Sequence, residues 1–170
     1  MASGDILKAW GASAALTQTN LDGLASSSTW VAGWESPAID NSSAKYLDYA
    51  VNAAIKVAAS GLAAGEIRMY FVAELEDASW PDVFDGTESA ETVTSSQIRD
   101  AICKLAALAV TDTTAGRVYY LQCPSVAAVF GGNLPRKFVV FIAHSTGQNL
   151  ETTGDPNQVY VKGTYETVTP

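Results

Sequence analysis

The chain reads as an all-β protein, a jelly-roll β-sandwich with an extended N-terminal arm, and three features of its 170 residues predict this. Residues 45–57 and 66–75 alternate apolar and polar side chains with a period of two, the pattern of strands with one buried face. Phe138 to Ala143 is apolar at every position, as in a strand buried on both faces. Spacers rich in Gly, Ser, Thr, Asp and Asn separate such runs. Many short strands between turn signals suit a sandwich, of which the jelly roll is one common form.

Taken in order, residues 1–28 are rich in Ala, Ser and Thr and hold few large apolar groups. They are expected to form the arm, with Leu16, Leu21 and Leu24 as anchors and a short helical turn over Ile6 to Trp10. The sandwich domain then occupies residues 29–170. Thr29 to Trp34 starts it as a short strand, broken by Pro37 and by Asp40-Asn41-Ser42-Ser43.

From Lys45, Leu47, Tyr49, Val51, Ala53, Ile55 and Val57 share one side. A helical stripe with Ser43 as cap and Gly61 as stop competes. The strand is favoured because it gathers Asp48, Asn52 and Lys56 on one polar face. In the next strand Ile67, Met69, Phe71, Ala73 and Leu75 face inward, and Glu66, Arg68, Tyr70 and Glu74 outward. The small-residue spacer 58–65 predicts that these two strands form a hairpin. A long acidic loop runs from Glu76 to about Ser96, and 98–110 is ambiguous. Val118 to Gln122 and Val126 to Phe130 read as strands around Pro124. Phe138 to Ala143 reads as a central strand. The last strand, Gln158 to Val168, follows a Gly154-Asp155-Pro156-Asn157 turn. Phe71, Val140 and Phe141 are expected in the core.

Bulk composition narrows the function. Hydrophobic residues make up 48% of the chain and charged residues only 16%, so Ser, Thr, Asn and Gly, or neighbouring subunits, must cover much of the surface. The net charge of −8, with few and scattered Lys and Arg, argues against a nucleic-acid partner. No apolar run approaches the roughly 20 residues that span a bilayer, so no membrane partner is expected. Met1-Ala2-Ser3-Gly4-Asp5 lacks the basic start and apolar run of a secretion signal, which predicts a protein made in a cytoplasm. Cys103 and Cys123 both lie in apolar surroundings and read as reduced, buried small hydrophobes, with a disulfide as the alternative.

No catalytic, cofactor-binding or metal-ligating residues are assigned. The acidic loop carries Glu74, Glu76, Asp77, Asp82, Asp85, Glu88 and Glu91, oxygen ligands of the kind calcium takes. Its spacing fails the EF-hand pattern: with Gly86 at the Gly position, Pro81 and Val83 would occupy the first and third ligand positions. Trp80-Pro81-Asp82 resembles the acid loop of tyrosine phosphatases. Neither cysteine is followed by the phosphate-cradling loop which that chemistry needs. Trp80 is therefore expected as a packing anchor, with Asp82 hydrogen-bonding the loop. His144 is the only histidine. With no Gly-x-Ser-x-Gly elbow, it reads as structural or interfacial. Gly131-Gly132-Asn133 lacks the Gly-Lys-Ser/Thr ending of a phosphate loop and reads as a turn between strands. Trp10, Trp30, Trp34, Trp80 and several Tyr are core or interface anchors unless two or three lie coplanar and exposed, which would favour sugar binding.

Three stretches carry a resemblance. They are Asp40-Asn41-Ser42-Ser43-Ala44-Lys45-Tyr46-Leu47-Asp48-Tyr49, Trp80-Pro81-Asp82-Val83-Phe84-Asp85-Gly86, and residues 126–141 from Val126 through Phe130-Gly131-Gly132-Asn133-Leu134-Pro135-Arg136-Lys137 to Phe141. The chain resembles the head decoration, or cement, proteins that sit outside the capsid shell of some short-tailed bacteriophages, over roughly residues 28–168. The resemblance implies a jelly-roll sandwich that binds as an oligomer over junctions between capsid subunits. It brings no catalytic residues to carry over. The major capsid protein and other copies of this chain, as a homodimer or homotrimer, are then the expected partners. The expected location is the outer capsid surface of a virion assembled in a bacterial cytoplasm. The arm has no counterpart in the resemblance and is expected to order only against a neighbouring subunit. A carbohydrate-binding or receptor-binding module of a tail or fibre is the alternative function.

Overall fold

The computed structural model describes residues 5–154 and 156–168. The first four residues of the arm segment, Asp155 of the predicted turn and the last two residues of the sandwich segment lie outside the described residues. The elements are β1 (Ile6–Trp10), β2 (Ala14–Ala15), β3 (Ala32–Glu35), β4 (Ile39–Asp40), β5 (Asp48–Lys56), β6 (Gly65–Ala73), β7 (Ser89–Thr92), α1 (Ser96–Ile102), β8 (Lys104–Thr111), β9 (Val118–Cys123), α2 (Val126–Val129), β10 (Lys137–His144) and β11 (Gln158–Val168).

The strands form two antiparallel sheets. The first runs β1-β11-β5-β9, with β2 continuing the β1 edge of β11. The second runs β7-β3-β10-β6-β8, with β4 also on β10. β5 is a strand, as the two-residue alternation requires. Tyr49, Val51, Ala53, Ile55 and then Val57 are buried, while Asn52 is exposed between them. They face Ile67, Met69 and Phe71 of β6, Phe138, Val140 and Ile142 of β10, and Trp34 of β3 across the main core.

β10 is the middle strand of its sheet, and every residue from Phe138 to His144 is buried. Its outward side chains, Val139, Phe141 and Ala143, join Tyr70 and Val72 of β6 in a second apolar cluster. Phe84, Val93, Trp80, Ile98 and Cys103, all from the 76–103 segment, close over it. The acidic loop is therefore a third layer. It holds β7 and leads into α1, whose cap Ser95 accepts a hydrogen bond from the Ile98 N–H (3.2 Å).

Four expectations are corrected. β5 and β6 are not a hairpin. They lie in different sheets, and the chain between them crosses from one to the other, because each strand is already flanked by other partners, β5 by β11 and β9, and β6 by β10 and β8. Val126 to Phe130 is not a strand. Ser125 caps a short helix by accepting from Ala128 N–H (3.0 Å), and Gly131 and Gly132 leave it at positive φ, so Gly131-Gly132-Asn133 joins a helix to β10 rather than two strands. Ile6 to Trp10 is not a helical turn: it pairs with β11 at five positions, from Ile6↔Val168 to Trp10↔Thr164. Nor do the described residues of the arm segment wait for a neighbour to order. Leu21 and Leu24 are buried in the main core of their own chain, and Leu16 packs against it.

Inward-facing assignments hold along the strands and fail at their ends. Leu47 and Leu75, placed inward by extrapolating the alternation, stand outside β5 and β6 and are exposed. Tyr70, placed outward, is outward from the main core but buried under the third layer.

Candidate functional site

Each candidate for chemistry is occupied by packing. His144 ends β10 on its inward side and is wholly buried. Its Nε2 donates to the Leu24 carbonyl (3.0 Å), and its Nδ1 lies 3.0 Å from the Thr146 hydroxyl, which also reaches the Gln148 carbonyl (3.2 Å). Burial holds its pKa below the ordinary imidazole value. Among the described residues, no carboxylate bonds the ring to orient it as a general base.

Cys103 and Cys123 are free thiols, both buried. Burial pushes Cys103 up to about 12, and it raises Cys123 as well, so neither offers a thiolate near neutral pH.

Apart from Glu76, the acidic loop engages its carboxylates with its own backbone and neighbours. Asp82 accepts from the N–H (2.9 Å) and hydroxyl (2.6 Å) of Thr94, Asp85 from Thr87 N–H (2.7 Å), and Glu74 from Ala78 N–H (2.9 Å). Glu88 accepts from the Trp34 indole N–H (2.6 Å) and from Asn20, and Glu91 from the Ser89 hydroxyl (2.7 Å). Asp77 pairs with Arg136. Glu76 makes a backbone bridge to Ser79. Among the described residues, no group of three or more His, Cys, Asp or Glu is placed to hold a metal ion.

The three stretches that carry the resemblance converge. β4 pairs Ile39 and Asp40 with Phe138 and Lys137 of β10. Asp48 Oδ1 accepts from Ala127 N–H (2.9 Å), the Tyr49 ring meets Phe138 edge-on at 5.7 Å, and Ala38 N–H donates to Gly86 O (2.9 Å). Lys137 lies 3.3 Å from Glu74 and 3.9 Å from Asp40.

Besides Leu105, Leu108 and Val110, exposed on the edge strand β8, two surfaces of the described residues carry exposed large side chains. One is the ribbon of β1 with the last five residues of β11. Ile6 and Val168, opposite one another, are 68% and 65% exposed, and Leu7 and Tyr165 are also exposed. Sequence reasoning missed this surface because the two strands come from opposite ends of the chain.

The other is the outer face of the first sheet. Tyr120 on β9, Tyr160 on β11 and Trp10 on β1 stand exposed on it, with Asn52, Gln122 and Gln158 between them. Of the four tryptophans, Trp10 stands exposed, while the others are packing anchors, as expected by default: Trp34 in the main core, and Trp30 and Trp80 against the second apolar cluster. Arg68 lies 3.7 Å over the Trp30 ring.

Among the described residues, no helix is long and apolar enough to cross a membrane. No protein-family model matches the chain, and no curated protein matches it.

Proposed function

We propose that this chain is a structural jelly-roll protein of a bacteriophage head. It binds the outer surface of the capsid and stabilises contacts between major capsid subunits, without enzymatic activity of its own. The observation that carries the reading is the strand order. Ranked along the chain, β1, β3, β5, β6, β8, β9, β10 and β11 stand 1-8-3-6 in the first sheet and 2-7-4-5 in the second. With β2, β4 and β7 set aside, that order fits two interlocked Greek keys and so supports the jelly-roll reading, an arrangement used by viral capsid and lectin domains and by cupins. Fold alone does not assign function. The reading rests also on the resemblance to decoration proteins, whose three stretches meet in the fold, and on the fate of the catalytic candidates, each committed to packing.

The β1/β11 ribbon supplies the contact. Apolar side chains on a two-stranded ribbon cost roughly 25 cal/mol per Å² left in water, and docking removes that cost. A closed homo-oligomer, dimer or trimer, would present several ribbons to several capsid subunits and gain avidity from each. Because the protein would bind only the assembled shell, it would shift the equilibrium against disassembly.

The test is co-sedimentation with purified capsids lacking this protein, followed by thermal disassembly. The protein is expected to pellet with shells and raise their disassembly temperature. An Ile6→Asp, Val168→Asp double variant, still folded by circular dichroism, is expected to stay in the supernatant. Full occupancy by that variant would remove the ribbon from the reading, and no pelleting of the parent protein would end it.

A further inference from the structure

The outer face of the first sheet has the chemistry of a binding site for an acidic polysaccharide. In an antiparallel sheet, directly opposed residues lie on the same face. The register therefore gathers a row of Tyr120, Ala54 and Gln158 and a row of Gln122, Asn52 and Tyr160, with Ala50 beside Lys162 in the next. β5 supplies the floor: its outward positions are Ala50, Asn52 and Ala54 in the middle, between Asp48 and Lys56 at its ends, so the centre of the face is low. β9 and β11 supply the walls. Tyr120 is 72% exposed and Tyr160 37% exposed, and the Tyr160 hydroxyl donates to Gln158 Oε1 (2.6 Å), which braces that ring. A hollow of about 350 Å³ lies between them, lined also by Asn52 and Gln122.

Two features set the class of ligand. The hollow is flanked by aromatic rings and primary amides, with no exposed Leu, Ile or Val among its walls. Aromatic rings take the apolar faces of pyranose rings, and amides both donate to and accept from hydroxyls.

The second feature is charge. Lys162, next outward residue to Tyr160 on β11, and Lys8 on β1 place their ammonium groups 5.6 and 5.5 Å from the centroid of Trp10, which is 49% exposed. Two cations thus bracket an exposed ring at the end of the tyrosine trough, in a chain whose net charge is −8. Of the acidic groups on this face, Asp48 accepts from the Ala127 and Tyr49 N–H groups, and Glu166 is the cross-strand neighbour of Lys8, which leaves Lys162 as the main cation offered to a ligand.

We infer that this face binds a carboxylate-bearing glycan chain, with sugar rings stacked on Tyr120, Tyr160 and Trp10, hydroxyls held by Asn52, Gln122 and Gln158, and carboxylates set against Lys162 and Lys8. The site goes beyond the capsid-binding reading and does not depend on it: the tyrosine hollow is built by β5, β9 and β11, and only Trp10 and Lys8 are shared with the ribbon, where Lys8 stands two residues from Ile6 on the same face.

The experiment is affinity electrophoresis of the full chain through gels containing polygalacturonate, with dextran gels as the neutral counterpart. Retardation is expected in polygalacturonate and not in dextran, which is informative because an acidic protein is repelled by an acidic polymer unless a site captures it. Tyr160→Ala and Trp10→Ala are each expected to weaken binding about tenfold, the scale of one lost stacking contact. Lys162→Gln is expected to weaken it severalfold and flatten its salt dependence. All three positions are at the surface, so near-native circular dichroism is expected of each variant. No retardation in polygalacturonate, equal retardation in dextran, or retardation unchanged in the Tyr160 and Trp10 variants would overturn the proposal. A change of oligomeric mass in those variants by light scattering would overturn it too, by assigning the face to a second copy of the chain.

Discussion

The two sheets share a core but differ on their outer faces. Outward positions of β10 and β6 are Val139, Phe141, Ala143, Tyr70 and Val72, and the chain spends residues 76–103 covering them with Phe84, Val93 and Trp80. Outward positions of β5 are Ala50, Asn52, Ala54 and Lys56, and that face is left open. A sandwich needs only its inner faces buried. The third layer exists because one strand pair is apolar on both sides, and the small and polar outward residues of β5 need no such cover.

The largest effect that tests this contrast is at Phe141, wholly buried beneath the third layer and in edge contact with Phe84 at 5.3 Å. Phe141→Ala is expected to cost about 3–5 kcal/mol in a denaturant titration. A loss under about 1 kcal/mol would show that the third layer is no true core.

A smaller effect is expected at Gly163 on β11, where an added Cβ would come within 2.3 Å of the Tyr46 ring. Gly163→Ala must displace that ring from its edge-on contact with Tyr49 and is expected to cost about 1–3 kcal/mol by the same titration.

Glu35 distinguishes the covered face by pH. It points outward from β3, wholly buried, with Oε1 accepting from Gly86 N–H (2.7 Å) and Asp85 N–H (3.3 Å) of the third layer. Burial is the main cause that raises its pKa from 4.5 to about 7, opposed by those two N–H bonds and aided by Asp85 and Glu91. Between those values the folded chain keeps a proton that the unfolded chain has released, so stability falls as pH rises through the window. Glu35→Gln is expected to remove that slope, with a gain of about 1–3 kcal/mol at pH 8 relative to pH 5. Unfolding midpoints at the two pH values read it directly. His144 works in the opposite sense: its pKa is lowered, so its contribution is lost as pH falls below 6.5.

The smallest effect belongs to the open face. Tyr160→Ala is expected to change stability by no more than about 0.5 kcal/mol, as for a surface position. A loss of core size there would mean that the face is structural.

β5, β6, β10 and β11 were legible in the sequence because period-two alternation, or an unbroken apolar run, is a local property that follows from which faces are buried. Gln158 to Val168 is a strand over the span its Tyr- and Val-rich pattern marks out. Partner choice is not local. β1 is a strand because residues 164–168 lie beside it, and nothing within Ile6 to Trp10 says so. β5 and β6 each follow the strand pattern, but only the other strands on their edges place them in separate sheets. Val126 to Val129 turned helical because a Ser cap and two positive-φ glycines outweighed the apolar run between them. The candidate site divides the same way. Its residue types, a Trp and tyrosines with Asn and Gln on alternating strands, belong to the sequence. That Tyr120, Tyr160 and Trp10 share one face was decided by register, which links β9, β5, β11 and β1, strands distant in the chain, through backbone hydrogen bonds that no side chain announces.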